Sequence, residues 1–98
     1  MYDLIIVGLG AAGISAAIYA KRSNLKVLCL EKSMPGGIIN YIDKIDNYPG
    51  FPNISGADLS YKLYEHLMSL DIEYKLESVN HIEEEQSVFR VSTKEATY

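Results

Sequence analysis

At 98 residues and 48% hydrophobic content, the chain can close one small domain, burying roughly two-thirds of the surface that its unfolded form exposes. A net charge of −4 with no basic cluster argues against nucleic acid or an anionic membrane surface as a partner. The N-terminal apolar run is too short to span a bilayer and lacks the charged leader and small-residue cleavage site of a signal peptide, so the expectation is a cytoplasmic protein beginning at Met1.

In chain order, Leu4-Ile5-Ile6-Val7 reads as a strand and passes without a spacer into Gly8-Leu9-Gly10-Ala11-Ala12-Gly13, then into a helix that ends near Ser23. This is the arrangement of a phosphate cradle. Gly8 permits the tight turn, Gly10 the approach of backbone amides to a pyrophosphate, and Gly13 close packing of helix on strand, with the helix N-terminus facing the anion. Ile14, Ala17 and Ile18 mark the buried face of the helix, and Lys21 and Arg22 suit its C-terminal end. A second apolar run, Lys26-Val27-Leu28-Cys29-Leu30, ends in Glu31, placed to accept hydrogen bonds from ribose hydroxyls. A carboxylate there favours a free 2′-hydroxyl over a 2′-phosphate, which selects the ADP half of FAD or NAD and not NADP. Cys29, the only cysteine, lies inside the second strand between leucines and reads as a buried structural thiol.

From Lys32 to Ile54 runs a long irregular segment whose Pro, Gly, Tyr and Ile content argues for an ordered loop with a function. Ser55-Gly56-Ala57-Asp58 reads as a capping box, with Ser55 as N-cap and Asp58 reaching back. The helix that follows, to about Leu70, carries Leu59, Leu63, Leu67 and Leu70 on one packing face. A short strand near residues 72–75 comes next. Leu76 to Glu84 and Val88 to Thr93 then read as a hairpin around Glu85-Gln86-Ser87, with Phe89 and Val91 on one face and the acidic run 83–85 in a solvated turn. His66 and His81 have no spacing partner and read as surface or packing residues, and no acidic cluster completes a metal site. The fold class is α/β: a Rossmann-like βαβ unit with a parallel sheet, plus a small antiparallel hairpin as a separate sheet. The last residues, Lys94 to Tyr98, stop in what reads as a new strand, so the expectation is an incomplete domain.

Two further segments go beyond the generic fold. Met34-Pro35-Gly36-Gly37 and Asn47-Tyr48-Pro49-Gly50-Phe51-Pro52, taken with the opening Tyr2 to Gly13 and Ala16-Ala17-Ile18-Tyr19-Ala20, closely resemble the N-terminal part of low-molecular-weight thioredoxin reductases. The resemblance covers essentially the whole chain. It implies that residues 1–98 are the N-terminal portion of an FAD-binding domain, with Gly8, Gly10, Ala11, Ala12 and Gly13 on the pyrophosphate and Glu31 on the adenine ribose with Lys32 beside it. It further implies Gly36 and Gly37 at the flavin end, where a larger side chain would collide, Asn47 on the isoalloxazine or its ribityl chain, and the Val79 backbone at adenine. For Asn47 the residues alone also allow a turn-forming role before Tyr48-Pro49. FAD is the implied cofactor, NADPH the family's usual donor, thioredoxin the implied partner, and a homodimer the common assembly.

The chain also departs from the family pattern. After the paired glycines the family commonly has Gln and a Thr-rich run, where this chain has Ile38-Ile39-Asn40-Tyr41-Ile42-Asp43, and Ala11 replaces a usual Pro. Flavin contacts there are lost or replaced, with Tyr41 or Asp43 as substitutes. Glutathione-reductase-like enzymes place redox cysteines shortly after the paired glycines, and none stands here; in the resembling family the Cys-x-x-Cys belongs to a later nicotinamide domain. The expected function is therefore the FAD-recognition part of a flavoprotein disulfide reductase that passes electrons through FAD to thioredoxin, without catalytic residues of its own. Three alternatives stay open: a relative with another donor such as ferredoxin, a non-catalytic truncated FAD-binding module, and an NAD-dependent dehydrogenase.

Overall fold

The structure, a computed structural model, describes residues 1–98. Strand β1 (Leu4–Val7), helix α1 (Ala11–Arg22) and strand β2 (Val27–Glu31) form the expected βαβ unit, and β3 (Glu73–Leu76) adds to the far side of β2, giving a parallel sheet of order β1-β2-β3. Helix α2 (Gly56–Ser69) leads into β3. Strands β4 (His81–Glu85) and β5 (Val88–Ser92) make a separate antiparallel pair.

Every residue of β2 is buried, because this central strand is covered on both faces. On one face Val27 and Cys29 pack with Ile14, Ala17 and Ala20 of α1 and with Leu59, Leu63 and Leu67 of α2. On the other, Leu28 and Leu30 pack with Val91, assisted by Tyr2, Ile5, Val79 and Tyr98. The hairpin thus covers the face of the sheet that the helices leave open, which is the arrangement expected of a strand alternating between two apolar layers. The outer edge of β1 pairs with nothing, and a cleft of about 870 Å³ lies between Tyr2, Leu4 and Ile5 and the apolar face of the hairpin, where Phe89 is exposed.

Helix α2 starts where the capping signature predicts. Ser55 Oγ accepts a hydrogen bond from the Asp58 N–H at 3.1 Å, but no return bond from the Asp58 carboxylate forms, so half of the expected box is present. Ser55→Ala should cost about 1 kcal/mol of stability, read from the urea midpoint of the chain.

Several boundaries differ from expectation. The third strand begins one residue late, since Asp71 leaves α2 in the left-handed region (φ 53°) and Ile72 is buried as an anchor before pairing starts at Glu73. Leu76 belongs to β3 opposite Glu31, not to the hairpin. Residues 77–80 carry the chain from one sheet to the other. Glu77 pins this crossing by accepting from Thr93 Oγ1 at 2.7 Å and from the Tyr98 hydroxyl at 2.8 Å, bonds that hold its carboxyl below the usual range. Glu83 and Glu85 lie on one face of strand β4 and both pair with Arg90 at 2.9 Å, so the acidic run is an exposed part of the strand and the turn is reduced to Gln86 and Ser87, at φ 53° and 65°.

The segment after β2 is ordered, as its composition suggested. It contains a short 3-10 helix, Gly37–Tyr41, and a narrow loop closed by reciprocal backbone bonds between Ile45 and Ile54 of 2.7 and 2.9 Å.

Cys29 is fully buried, and burial pushes its thiol up to about 11 from the ordinary 9.0. The native thiol therefore keeps its proton at neutral pH. As pH rises above 9 the unfolded chain releases this proton before the native one does, so this group's contribution to stability falls between pH 9 and about 11. A disulfide reagent at pH 8 should label Cys29 at the rate of global unfolding, and immediately in denaturant.

Candidate nucleotide site

The turn off β1 is built by Gly8, whose φ of +97° a side chain rarely adopts, while its N–H stays in register with the sheet by donating to the Leu30 carbonyl at 2.8 Å. Gly10 then caps α1 with extended backbone and no side-chain cap. The N–H groups of Gly10, Ala11, Ala12 and Gly13 have no acceptor in the chain, and the first turn of α1 carries no acidic residue. Unpaired amides at the positive end of a helix make a ready anion site.

The glycines of this loop serve different ends. A Cβ on Gly13 would stand 2.0 Å from the Gly8 carbonyl oxygen, so α1 could not pack on β1 with any side chain there. A Cβ on Gly10 would meet nothing within 4 Å, and its φ of −75° suits any residue. Nothing inside the protein therefore requires glycine at position 10; the open space beside it does, if a ligand is to approach the backbone.

Glu31 ends β2 beside this loop and is only 5% exposed. Its Oε1 accepts from the Leu9 N–H and its Oε2 from the Ser33 N–H, each at 2.8 Å. No cation pairs with it, so these amides offset the cost of burying the carboxylate. Each oxygen keeps a further lone pair for a hydroxyl. Lys32, next along, is exposed.

The paired glycines are brought against the loop, as a shared site requires. The Gly36 N–H donates to the Leu9 carbonyl at 2.6 Å, and a Cβ on Gly37 would lie 3.9 Å from the Gly10 Cα. Gly36 is itself buried at φ +99°, and a Cβ there would stand 2.3 Å from Ser60 Oγ; packing on α2 explains that glycine without any cofactor. Beyond it, Ile38 and Tyr41 are 80% and 78% exposed. Asn47 is exposed near the tip of the Ile45–Ile54 loop, and Val79 is half-buried against Leu28 and Leu30 on the opposite face of the sheet from the helices.

Sequence reasoning missed two residues that position the site. Leu9, fully buried, has both backbone groups committed, to Glu31 and to Gly36; an apolar residue between two glycines was the available signal. Gly56 allows α2 to seat against the 3-10 helix, since a Cβ there would stand 1.9 Å from the Ile39 carbonyl oxygen.

A glycine loop with unpaired amides, a terminal acidic residue on the next strand and a parallel sheet are the arrangement expected of a nucleotide-binding βαβ unit in an α/β protein. The chain belongs to the pyridine nucleotide-disulphide oxidoreductases, whose family profile matches residues 2–98, and its likeness is to the N-terminal part of the low-molecular-weight thioredoxin reductases among them. It is 44% identical over 82 residues to the thioredoxin reductase of Ureaplasma parvum, a match that covers 84% of this chain and 26% of that protein. The crystal structure of Lactococcus lactis thioredoxin reductase superposes with a TM-score of 0.96 at 39% identity, over 100% of this chain and 32% of that one. A ferredoxin-flavin thioredoxin reductase from Clostridium acetobutylicum gives 0.92 at 37% identity, over 99% and 34%. The chain thus spans about a third or less of the relatives it matches. No helix is long and apolar enough to cross a membrane.

Proposed function

We propose that the chain is the N-terminal portion of an FAD-binding domain of a flavoprotein disulfide reductase, in which electrons pass from a reduced donor through FAD to thioredoxin. The observation that carries this reading is the row of unpaired amides from Gly10 to Gly13 facing open space at Gly10. In it, Gly8, Gly10, Ala11, Ala12 and Gly13 cradle the pyrophosphate, Glu31 accepts from the adenine ribose with Lys32 beside it, and Val79 approaches adenine. Gly37 and, through its turn, Gly36 shape the flavin end, and Asn47 bonds the isoalloxazine or its ribityl chain. Bound FAD supplies the redox chemistry. The residues of this chain bind and orient; none is assigned a catalytic role, and Cys29, buried in the sheet, takes none. The free edge of β1 and the apolar cleft beside it support the reading of an incomplete domain.

The donor has two readings. NADPH serves most of the family, and the exposed side chains of Ile38 and Tyr41, together with the likeness to a ferredoxin-flavin enzyme, favour ferredoxin as the second. The nucleotide reading is tested by titrating the chain with ADP and with adenosine 2′,5′-bisphosphate. Binding of ADP with weaker binding of the 2′-phosphate is expected, because that group would be driven onto Glu31; preference for the 2′-phosphate would contradict it.

A further inference from the structure

Leu9 sits between two glycines, the most permissive residues of the chain, yet it is the most constrained residue of the loop. Its side chain is 0% exposed in the core, its N–H donates to Glu31 Oε1 at 2.8 Å, and its carbonyl accepts from the Gly36 N–H at 2.6 Å. Glycine on both sides costs the unfolded loop more conformational entropy than any other pair would, so a turn with Gly8 and Gly10 needs an external hold if it is to be fixed before a ligand arrives. The hold available is Glu31. Its carboxylate is buried, has no cation beside it, and spends one oxygen on the loop and the other on the Ser33 amide.

We infer that Glu31 is a positioning residue for the phosphate loop, holding the Gly8–Gly10 turn in its anion-accepting form through the Leu9 amide, separately from any contact it makes to a ribose. The inference rests on the nucleotide reading above and deepens it. Gly8 N–H is already bonded to the Leu30 carbonyl; by taking Leu9 N–H as well, Glu31 fixes the second amide of the turn and leaves those of Gly10 to Gly13 as the unpaired ones available to an anion. Leu9 then passes the constraint to the paired glycines through Gly36. The pyrophosphate loop, the acidic strand end and the Gly36-Gly37 turn therefore form one preassembled unit and not three separate contacts.

The two roles of Glu31 separate on a ligand without ribose hydroxyls. In Glu31→Gln, one carboxylate oxygen becomes an amide nitrogen, and one of the two backbone N–H groups loses its acceptor. Affinity of the chain for 2′,3′-dideoxy-ADP, measured calorimetrically, should fall about tenfold in the variant, the loss expected from one hydrogen bond to a charged group. A variant that binds dideoxy-ADP as tightly as the wild type while losing affinity for ADP would overturn the inference and leave Glu31 a ribose ligand alone. The second readout needs no ligand. Hydrogen exchange at the Leu9 amide, followed by NMR, should be slow in the wild-type chain and at least about tenfold faster in Glu31→Gln, with the β5 amides unchanged as the control for folding. Faster exchange at Ser33 in place of Leu9 would mean that the glutamine oxygen has turned to Leu9, and Glu31→Ala, which removes both acceptors, then decides: Leu9 exchange in that variant equal to the wild type, with the β5 amides protected, would overturn the inference. Should Glu31→Gln fail to fold, the wild type still decides, since a Leu9 amide exchanging as fast as in an unfolded peptide would overturn it and a protected one would support it. A wild-type chain that binds neither nucleotide would defeat the nucleotide reading, and the Leu9 exchange rates would still decide whether the clamp exists.

Discussion

Gly13→Ala should lower the stability of the chain by about 3 kcal/mol or more, a large part of the roughly 5–15 kcal/mol that holds a domain of this kind together. A methyl group there would stand 2.0 Å from the Gly8 carbonyl oxygen and 3.4 Å from Ile6 Cγ2. The obstacle is backbone, so no rotamer change relieves it. Helix α1 would have to move off β1, and the layer in which Ile14 and Ala17 pack against Cys29, Leu59 and Leu67 would open with it. Since the Gly8–Gly10 turn is the hinge of that movement, nucleotide binding should be lost together with stability. Urea denaturation with calorimetric titration of ADP checks both; a variant within 1 kcal/mol of the wild type would show that the loop relaxes more easily than this packing allows.

Gly10→Ala should separate the two effects. A Cβ at position 10 enters open space, its φ of −75° is ordinary, and the cost is that of replacing glycine by alanine at a helix N-cap, about 1 kcal/mol or less. The same methyl group would stand where a pyrophosphate must approach the amides of Gly10 to Gly13. Affinity for ADP or FAD should fall by about ten- to a hundredfold, equivalent to roughly 1.4–2.8 kcal/mol, in a protein that unfolds at nearly the wild-type midpoint. Undiminished affinity would mean that the nucleotide does not lie over Gly10.

These opposite expectations for two glycines of one motif show what was legible in the sequence. The spacing of Gly8, Gly10 and Gly13 between an apolar run and a helix, with Glu31 closing the next strand, is enough to predict the βαβ unit, because each position answers to a steric rule that is local in sequence. The leucine face of α2 was legible for the same reason, as a 3.6-residue period. Other features depend on contacts distant along the chain. That Gly36 is required by Ser60, and Gly56 by the Ile39 carbonyl, can only be known once α2 is laid against the 3-10 helix. The start of β3 at Glu73 is set by its register with Leu28 and not by the apolar Ile72 that precedes it. The acidic run looked like a turn because three glutamates resemble solvent-facing loop, yet Arg90 across the hairpin gives Glu83 and Glu85 a strand partner. The role of Leu9 was hidden for another reason: what commits it is its backbone, and backbone hydrogen bonds leave no mark on residue type.

The likeness to thioredoxin reductases adds what geometry alone does not, namely the flavin. Glu31 and the glycine loop suit the ADP half of any dinucleotide with a free 2′-hydroxyl, whereas the proposed reading assigns the flavin half to the paired glycines, of which Gly37 lies beside Gly10, and to Asn47 in the Ile45–Ile54 loop. An FAD site should therefore perturb both regions at once, and a plain nucleotide site only the first. The measurement that decides is a titration of the ¹⁵N-labelled chain with FAD and, in parallel, with ADP, followed by amide chemical shifts. Shifts at Gly10, Ala11, Ala12 and Gly13 with either ligand, joined by Gly37 and Asn47 with FAD alone, are the result this account predicts. No shift at the glycine-loop amides at millimolar ligand, in a chain whose β2 and α2 resonances report a folded core, would contradict it.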